Sequence, residues 1–221
     1  PPNDLTIGAY QLSRRVEPSL LLSGDFIDYF PIADDYFVCY LADVSGHGAS
    51  SAFITVLLKN LSRQLCRDLQ GPALTRPDQV LHWINAELIE QHIDKHVAMF
   101  FAIVDTRNHM MCYANAAHFP PALMAARDGC IRLEQKGKPL GLFENAVFVG
   151  SDNEELEQVI IQPGGRLVME PNGVHLKIND VEASKNLAKI LEPDDSLVVA
   201  CAVAPVKNIE MLIENLNIAE T

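Results

Sequence analysis

The sequence predicts an α+β fold in which antiparallel sheets pack face to face with helices outside them. Three observations point there. Two acidic segments, Ser23-Gly24-Asp25-Phe26-Ile27-Asp28-Tyr29-Phe30 and Leu41-Ala42-Asp43-Val44-Ser45-Gly46-His47-Gly48, flank an Asp34-Asp35 turn and read as one β-hairpin. Two consecutive helical patterns follow, and after them comes a series of short strand patterns separated by turn residues.

The elements are justified in chain order. Thr6-Ile7-Gly8-Ala9-Tyr10 and Ser19-Leu20-Leu21-Leu22 are short β-like runs on either side of the polar Arg14-Arg15. Tyr36 to Tyr40 is apolar and aromatic, as a buried strand should be, and leads to Asp43. From Ala49 to Leu69, Phe53, Val56, Leu57, Leu61, Leu65 and Leu69 recur mostly three and four apart, which predicts an amphipathic helix. Its expected sheet-facing stripe is Phe53, Val56, Leu57 and Leu61, with Lys59 and Arg63 in water. Gly46 and Gly48 allow the sharp turn into it. Pro77-Asp78-Gln79 marks a second helix start, and Val80, Leu81, Ile84, Leu88 and Ile89 share one face up to an end near His92. Trp83 belongs to the same helix core.

Strand patterns then run Val97 to Val104, Met110 to Ala114, Ala122 to Ala126 and Ile131 to Leu133, with turns at Asp105-Thr106-Arg107-Asn108 and Asp128-Gly129. A further pair is expected at Ala146 to Val149 and Leu156 to Ile161, turning at Pro163-Gly164-Gly165 into Arg166 to Glu170. A helix from Val181 to Leu191, a strand from Leu197 to Val203 and a helix from Val206 to Leu216 complete the expected order.

Composition narrows the function classes. With 48% hydrophobic and 21% charged residues, the 221 residues read as one globular domain, 1–221. A net charge of −12 without a basic run argues against nucleic acid. No long apolar run or signal peptide indicates a membrane or secretion, and five cysteines without a CxxC pair fit a reducing cytoplasm. The opening Pro1-Pro2-Asn3-Asp4 lacks a methionine, so a C-terminal fragment of a longer chain is expected, with a further domain upstream.

Acids at the mouths of adjacent strands are how proteins hold Mg²⁺ or Mn²⁺, which take charged oxygen ligands. The hairpin allows Asp25 and Asp43 to face each other; the alternative is a pair of turn or cap acids. Asp28 reads as a structural cap. His47 and His118 have the look of nucleophile or metal histidines, but both lie in turns. His92 and His96 have a helical metal-ligand spacing, but Asp94-Lys95 indicates that the helix has ended. Ser45 has no recognisable triad around it.

Gly24-Asp25-Phe26-x-Asp28-Tyr29-Phe30, Asp43-Val44-Ser45-Gly46-His47-Gly48, Phe101 through Asp105, Tyr113-Ala114-Asn115-Ala116-Ala117-His118-Phe119-Pro120-Pro121, Pro139-Leu140-Gly141-Leu142 and Asp194-Asp195-Ser196-Leu197-Val198-Val199 occur in one order. In that order the chain resembles the PPM-type (protein phosphatase 2C-like) serine phosphatases of the SpoIIE/RsbU branch. The resemblance implies an αββα sandwich whose acids hold two Mn²⁺ or Mg²⁺ ions. It implies that Asp43 bridges both ions, that Asp25 and the Val44 carbonyl serve one, and that Asp194, with Asp195 close by, serves the other. The only nucleophile it implies is a water acidified between the ions. For the turns that hold His47 and His118 it implies packing.

One departure stands out. Relatives carry a metal-binding Asp in a Thr-Asp-Gly at the end of the strand that begins here at Pro163, and this chain has Pro171-Asn172-Gly173. An amide oxygen carries no net charge, so the ion shared with Asp194 should bind more weakly. The stretch from Asn172 to Asp194 is also shorter than in relatives. Two readings follow. In one, a signalling output domain with a phosphatase fold regulates a sigma-factor circuit through protein partners, such as a sigma factor or an anti-sigma antagonist, with catalysis impaired or lost by Asn172. An upstream receiver domain would then make it similar to RssB-like response regulators. In the other, it is an active phosphoserine/phosphothreonine protein phosphatase.

Overall fold

The computed structural model describes residues 4–8, 10–14, 24–68, 75–126, 129–148, 158–160 and 166–169. In chain order its elements are β1 (Asp4–Ile7), β2 (Tyr10–Ser13), β3 (Asp25–Ala33), β4 (Tyr36–Val44), α1 (Ala49–Asp68), α2 (Pro77–Glu90), β5 (Val97–Asp105), β6 (Met110–Ala116), β7 (Leu123–Ala126), β8 (Gly129–Arg132), β9 (Gln158–Ile160) and β10 (Arg166–Val168). They form a five-stranded antiparallel sheet ordered β3-β4-β5-β6-β9, a three-stranded sheet β10-β7-β8 and a hairpin β1-β2.

Strand alternation sorts the large sheet's side chains into two cores. Phe37, Cys39 and Leu41 of β4, with Ile27, Tyr29, Phe100, Ala102, Val104, Met111 and Tyr113, pack against Tyr10, Leu12, Met124 and Leu167 of the smaller sheets and Leu133 just beyond β8. Val38, Tyr40 and Ala42, with Met99, Phe101 and Ile103, pack against Leu58 of α1 and Val80, Leu81, Ile84 and Leu88 of α2. A strand buried on both faces must be apolar at every position, and β4 is buried from Phe37 through Ala42. Helices therefore cover one face of the central sheet, and a second sheet layer covers the other.

Several expectations are corrected. Gly8, at φ +57°, turns the chain, so the first run divides into β1 and β2 rather than continuing through Tyr10. Residues 146–148 are not strand; β9 pairs instead with β6, and β10 pairs with β7. The inward stripe of α1 is rotated from the one expected. Leu58 and Leu61 are buried, whereas Phe53 and Val56 are 74% and 57% exposed. Two serines fix the rotation: the Ser62 hydroxyl lies 2.8 Å from the Tyr40 hydroxyl, and Ser51 Oγ donates to the Ser45 carbonyl. Buried polar groups need such partners, and a purely apolar pattern cannot reveal them. Ser19–Leu22 and the elements expected beyond residue 169 lie outside the described residues. Among the described residues no helix is long and apolar enough to cross a membrane.

Candidate metal centre

The β3–β4 hairpin sets the site through its register. Ala33 pairs with Tyr36 around the Asp34-Asp35 turn, but Pro31 pairs with Phe37, so β3 carries one extra residue, Ile32. That bulge shifts every later pair by one and brings Asp25 directly opposite Asp43. Without it Asp25 would oppose Val44. Register decides faces because side chains alternate. Asp25 and Asp43 share parity with Ile27 and Leu41, so both carboxylates belong to the inter-sheet side, at one end of the ladder.

Both acids are half-buried. Burial pushes the Asp43 carboxyl above its ordinary value, and the charge of His96 offsets part of that rise. Like charges directly opposite on neighbouring strands repel, and a cation between them would relieve that repulsion. The backbone fits such an occupant. The Val44 amide donates to the Gly24 carbonyl at 3.2 Å, and a Cβ placed on Gly24 would lie 2.4 Å from the Val44 carbonyl oxygen. Only glycine keeps that oxygen uncovered beside Asp25. Asp25, Asp43 and the Val44 carbonyl thus form an all-oxygen set suited to a hard divalent ion. Among the described residues no three His, Cys, Asp or Glu side chains cluster, and Asn172, Asp194 and Asp195 lie outside those residues.

The loop after Asp43 is braced rather than reactive. The Ser45 amide donates to the His96 carbonyl at 2.9 Å, and the His96 amide donates to Ser45 Oγ at 3.1 Å. With its carbonyl held by Ser51, Ser45 is a structural latch. Gly46 and Gly48, at φ +81° and +89°, carry the chain into α1, and His47 is exposed.

His118 is buried and neutral. Burial pulls its pKa down to about 4, with the Pro120 backbone offsetting a part, and neither ring nitrogen has a hydrogen-bond partner of good geometry. It sits in a knot tied by Asn115, whose Oδ1 accepts from the His118 amide at 2.7 Å and whose Nδ2 donates to the His118 and Gln135 carbonyls. The packing reading holds for it. His92 and His96 do not share a helix: α2 ends at Glu90, and His92 adopts φ +51° in the turn beyond. Asp28 is no cap. It lies fully buried within β3, on the helix side, with Arg63 Nε 3.6 Å from its Oδ2. Sequence reasoning missed that His96 lies beside Asp43. The signal was available once β4 and β5 were paired, because Asp43 registers with Ala98, two residues from His96.

A groove of about 460 Å³ lined by Phe30, Pro31, Ile32, Asn60, Arg63 and Arg67 lies where β3 meets α1. It is at the end of β3 away from Asp25, roughly 20 Å distant at strand rise, and takes no part in the acidic site.

Comparison with known proteins bears on this arrangement. The family described as stage II sporulation protein E (SpoIIE) matches residues 33–212, a span that includes Asp43, Val44, Asn172, Asp194 and Asp195 and begins after Asp25. The chain is 29% identical over 167 residues to the phosphoserine phosphatase RsbP of Bacillus subtilis, covering 74% of this chain and 39% of RsbP. It spans between 29% and 46% of the length of the curated relatives it matches. Among solved structures, the RsbU and RsbW domains of a Mycobacterium tuberculosis protein superpose with a TM-score of 0.68 at 16% identity, covering 98% of this chain and 71% of that one. RsbX in complex with magnesium superposes at 0.63 and 11% identity, covering 88% and 94%. At such identities the structural likeness shows a shared fold.

Proposed function

The chain belongs to the SpoIIE family, with a protein phosphatase 2C-like fold, and on that footing we propose that it is a cytoplasmic signalling output domain acting on a protein partner in a sigma-factor circuit. In this reading the acidic site engages a phosphoserine or phosphothreonine of a regulatory protein, and Asn172 reduces turnover by withholding a carboxylate. The observation that carries it is the cross-strand pair of Asp25 and Asp43, desolvated at Asp43 and flanked by the Val44 carbonyl.

Asp25, Asp43 and Val44 would hold one Mn²⁺ or Mg²⁺, with Asp43 shared toward a second ion served by Asp194, Asp195 and the amide of Asn172. When bound, the ions supply Lewis-acid charge for water activation and for the phosphate. The chain's own residues do the rest. The bulge at Ile32 sets the carboxylates opposite each other, Gly24 keeps the Val44 oxygen open, and the Ser45–His96 latch holds the following loop. The overall charge of −12 suits a protein partner rather than nucleic acid. An upstream receiver domain in the intact protein would supply the input.

A second reading, an active phosphoprotein phosphatase, is favoured by the similarity to RsbP, a phosphoserine phosphatase. Asn172→Asp separates the two. Under the first reading it tightens binding of the second ion and raises Mn²⁺-dependent hydrolysis of an aryl phosphate or a phosphoserine peptide well above the parent. A parent already fast, with no gain in the variant, would establish the second.

A further inference from the structure

The segment His92-Ile93-Asp94-Lys95-His96 joins α2 to β5 and passes over the loop that follows Asp43. It is held there from both sides. Ser45 and His96 exchange two hydrogen bonds, and Val97 and Leu140 exchange two more at 3.0 and 2.8 Å. Lys95 is half-buried and immediately precedes these anchors in the chain. Its ammonium reaches back across the loop, so that a Cβ on Gly46 would lie 2.7 Å from Lys95 Nζ. The φ of +81° is what requires glycine at position 46.

Lys95 forms no ion pair among the described residues, unlike Arg63 with Asp28, Arg76 with Asp78 and Arg107 with Asp35. Its ammonium is therefore not engaged by a carboxylate among the described residues, which leaves it open to an anionic ligand. The anion has a defined place to be. Gly46 is three residues beyond Asp43, and α1 begins two residues after His47 with no acid in its first turn, leaving its positive end uncompensated.

We propose that Lys95 binds the phosphoryl group at this site, its ammonium donating to a non-bridging oxygen of the phosphate presented to the Asp25–Asp43 centre. The inference deepens the functional reading above and rests on the acids being an ion site. Asp25, Asp43 and the Val44 carbonyl would hold an ion that supplies positive charge to the phosphate, and the Lys95 ammonium would add a further cation from the β5 side. An ammonium suits this task, since it recognises phosphate as a compact point charge with three donors.

The test is calorimetric titration of inorganic phosphate into the Mn²⁺-loaded protein, carried out on the parent, Lys95→Met and Lys95→Arg, with Mn²⁺ affinity and thermal melting recorded for each. Phosphate affinity should fall about 10-fold or more in Lys95→Met, the loss of one charge-assisted hydrogen bond. Lys95→Arg should stay within a factor of about three of the parent, and Mn²⁺ affinity and melting should be unchanged. Equal phosphate affinity in the parent and Lys95→Met overturns the proposal, as does parent protein that binds Mn²⁺ but no phosphate. A variant that loses Mn²⁺ together with phosphate also overturns it, because Lys95 would then support the ion site instead. Phosphate binding that depends on Lys95 without turnover of any phosphoester upholds the proposal and counts only against the active-phosphatase reading.

Discussion

Replacing His118 with leucine should remove a pH dependence that traces to one buried imidazole. His118 is 3% exposed, and burial pulls its pKa from 6.5 to about 4. In the folded protein the ring therefore stays neutral at pH values where the unfolded chain takes up a proton. A depressed histidine pKa gives stability that is whole above the unfolded value, is lost as pH falls through the window, and falls no further below the folded value. The gap from 6.5 to about 4 corresponds to about 3 kcal/mol. Urea unfolding of the metal-free parent and His118→Leu, between about pH 7.5 and 4.5, measures it, because other titrating groups are common to both proteins and cancel in the difference. Near pH 7.5 the two should agree within about 1 kcal/mol, since leucine replaces ring nitrogens that have no well-placed partner. Toward pH 4.5 the parent should lose most of 3 kcal/mol relative to the variant. Parallel curves would show that His118 is hydrated or protonated in the fold, and the packing role assigned to it would fail.

Leu58→Ala should cost about 2–5 kcal/mol, because Leu58 is fully buried between α1 and the central sheet. Phe53→Ala, at a position 74% exposed, should cost less than about 0.5 kcal/mol, and the reverse order in denaturant melts would put the other face of α1 against the sheet. Asp43→Asn should stabilise the metal-free protein at neutral pH by about 0.2–1 kcal/mol through lost cross-strand repulsion. Because the folded Asp43 pKa is raised, the parent loses stability as pH rises through that value, so the advantage of the asparagine variant should vanish below the ordinary carboxylate range and grow above it. An advantage independent of pH would remove the charge of Asp43 as its cause.

The parts of the fold legible in sequence are those where one local rule dominates. The hairpin was legible because an Asp-Asp turn separates two strands of similar length, and α2 because Pro77 opens a clean apolar face. The face of α1 was not. Phe53 and Val56 compete with Ile54, Leu57, Leu58, Leu61 and Leu65 for the core, and the decision falls to Ser51 and Ser62, whose hydrogen bonds reach Ser45 and Tyr40. At the site, the pairing of Asp25 with Asp43 was legible as a possibility of the hairpin, but the device that secures it is the bulge beside Pro31, a register shift that no periodicity shows. Asp28 was misread because one partner of this buried mid-strand carboxylate is Arg63, which reaches it from a helix 35 residues later in the chain. The placement of His96 and Lys95 over the loop after Asp43 depends on β4 pairing with β5, a contact between segments more than 50 residues apart.

The central claim is that Asp25 and Asp43 are an ion site, and calorimetric titration of Mn²⁺ into the parent chain and Asp43→Asn tests it most directly. The parent should bind Mn²⁺ with a measurable heat and rise in melting temperature as the ion is added, because an ion that binds only the folded state stabilises it by mass action. Asp43→Asn should lose that binding while remaining folded. Mn²⁺ affinity unchanged in Asp43→Asn would contradict the account, and so would a parent chain whose melting temperature does not respond to Mn²⁺ or Mg²⁺ at any concentration.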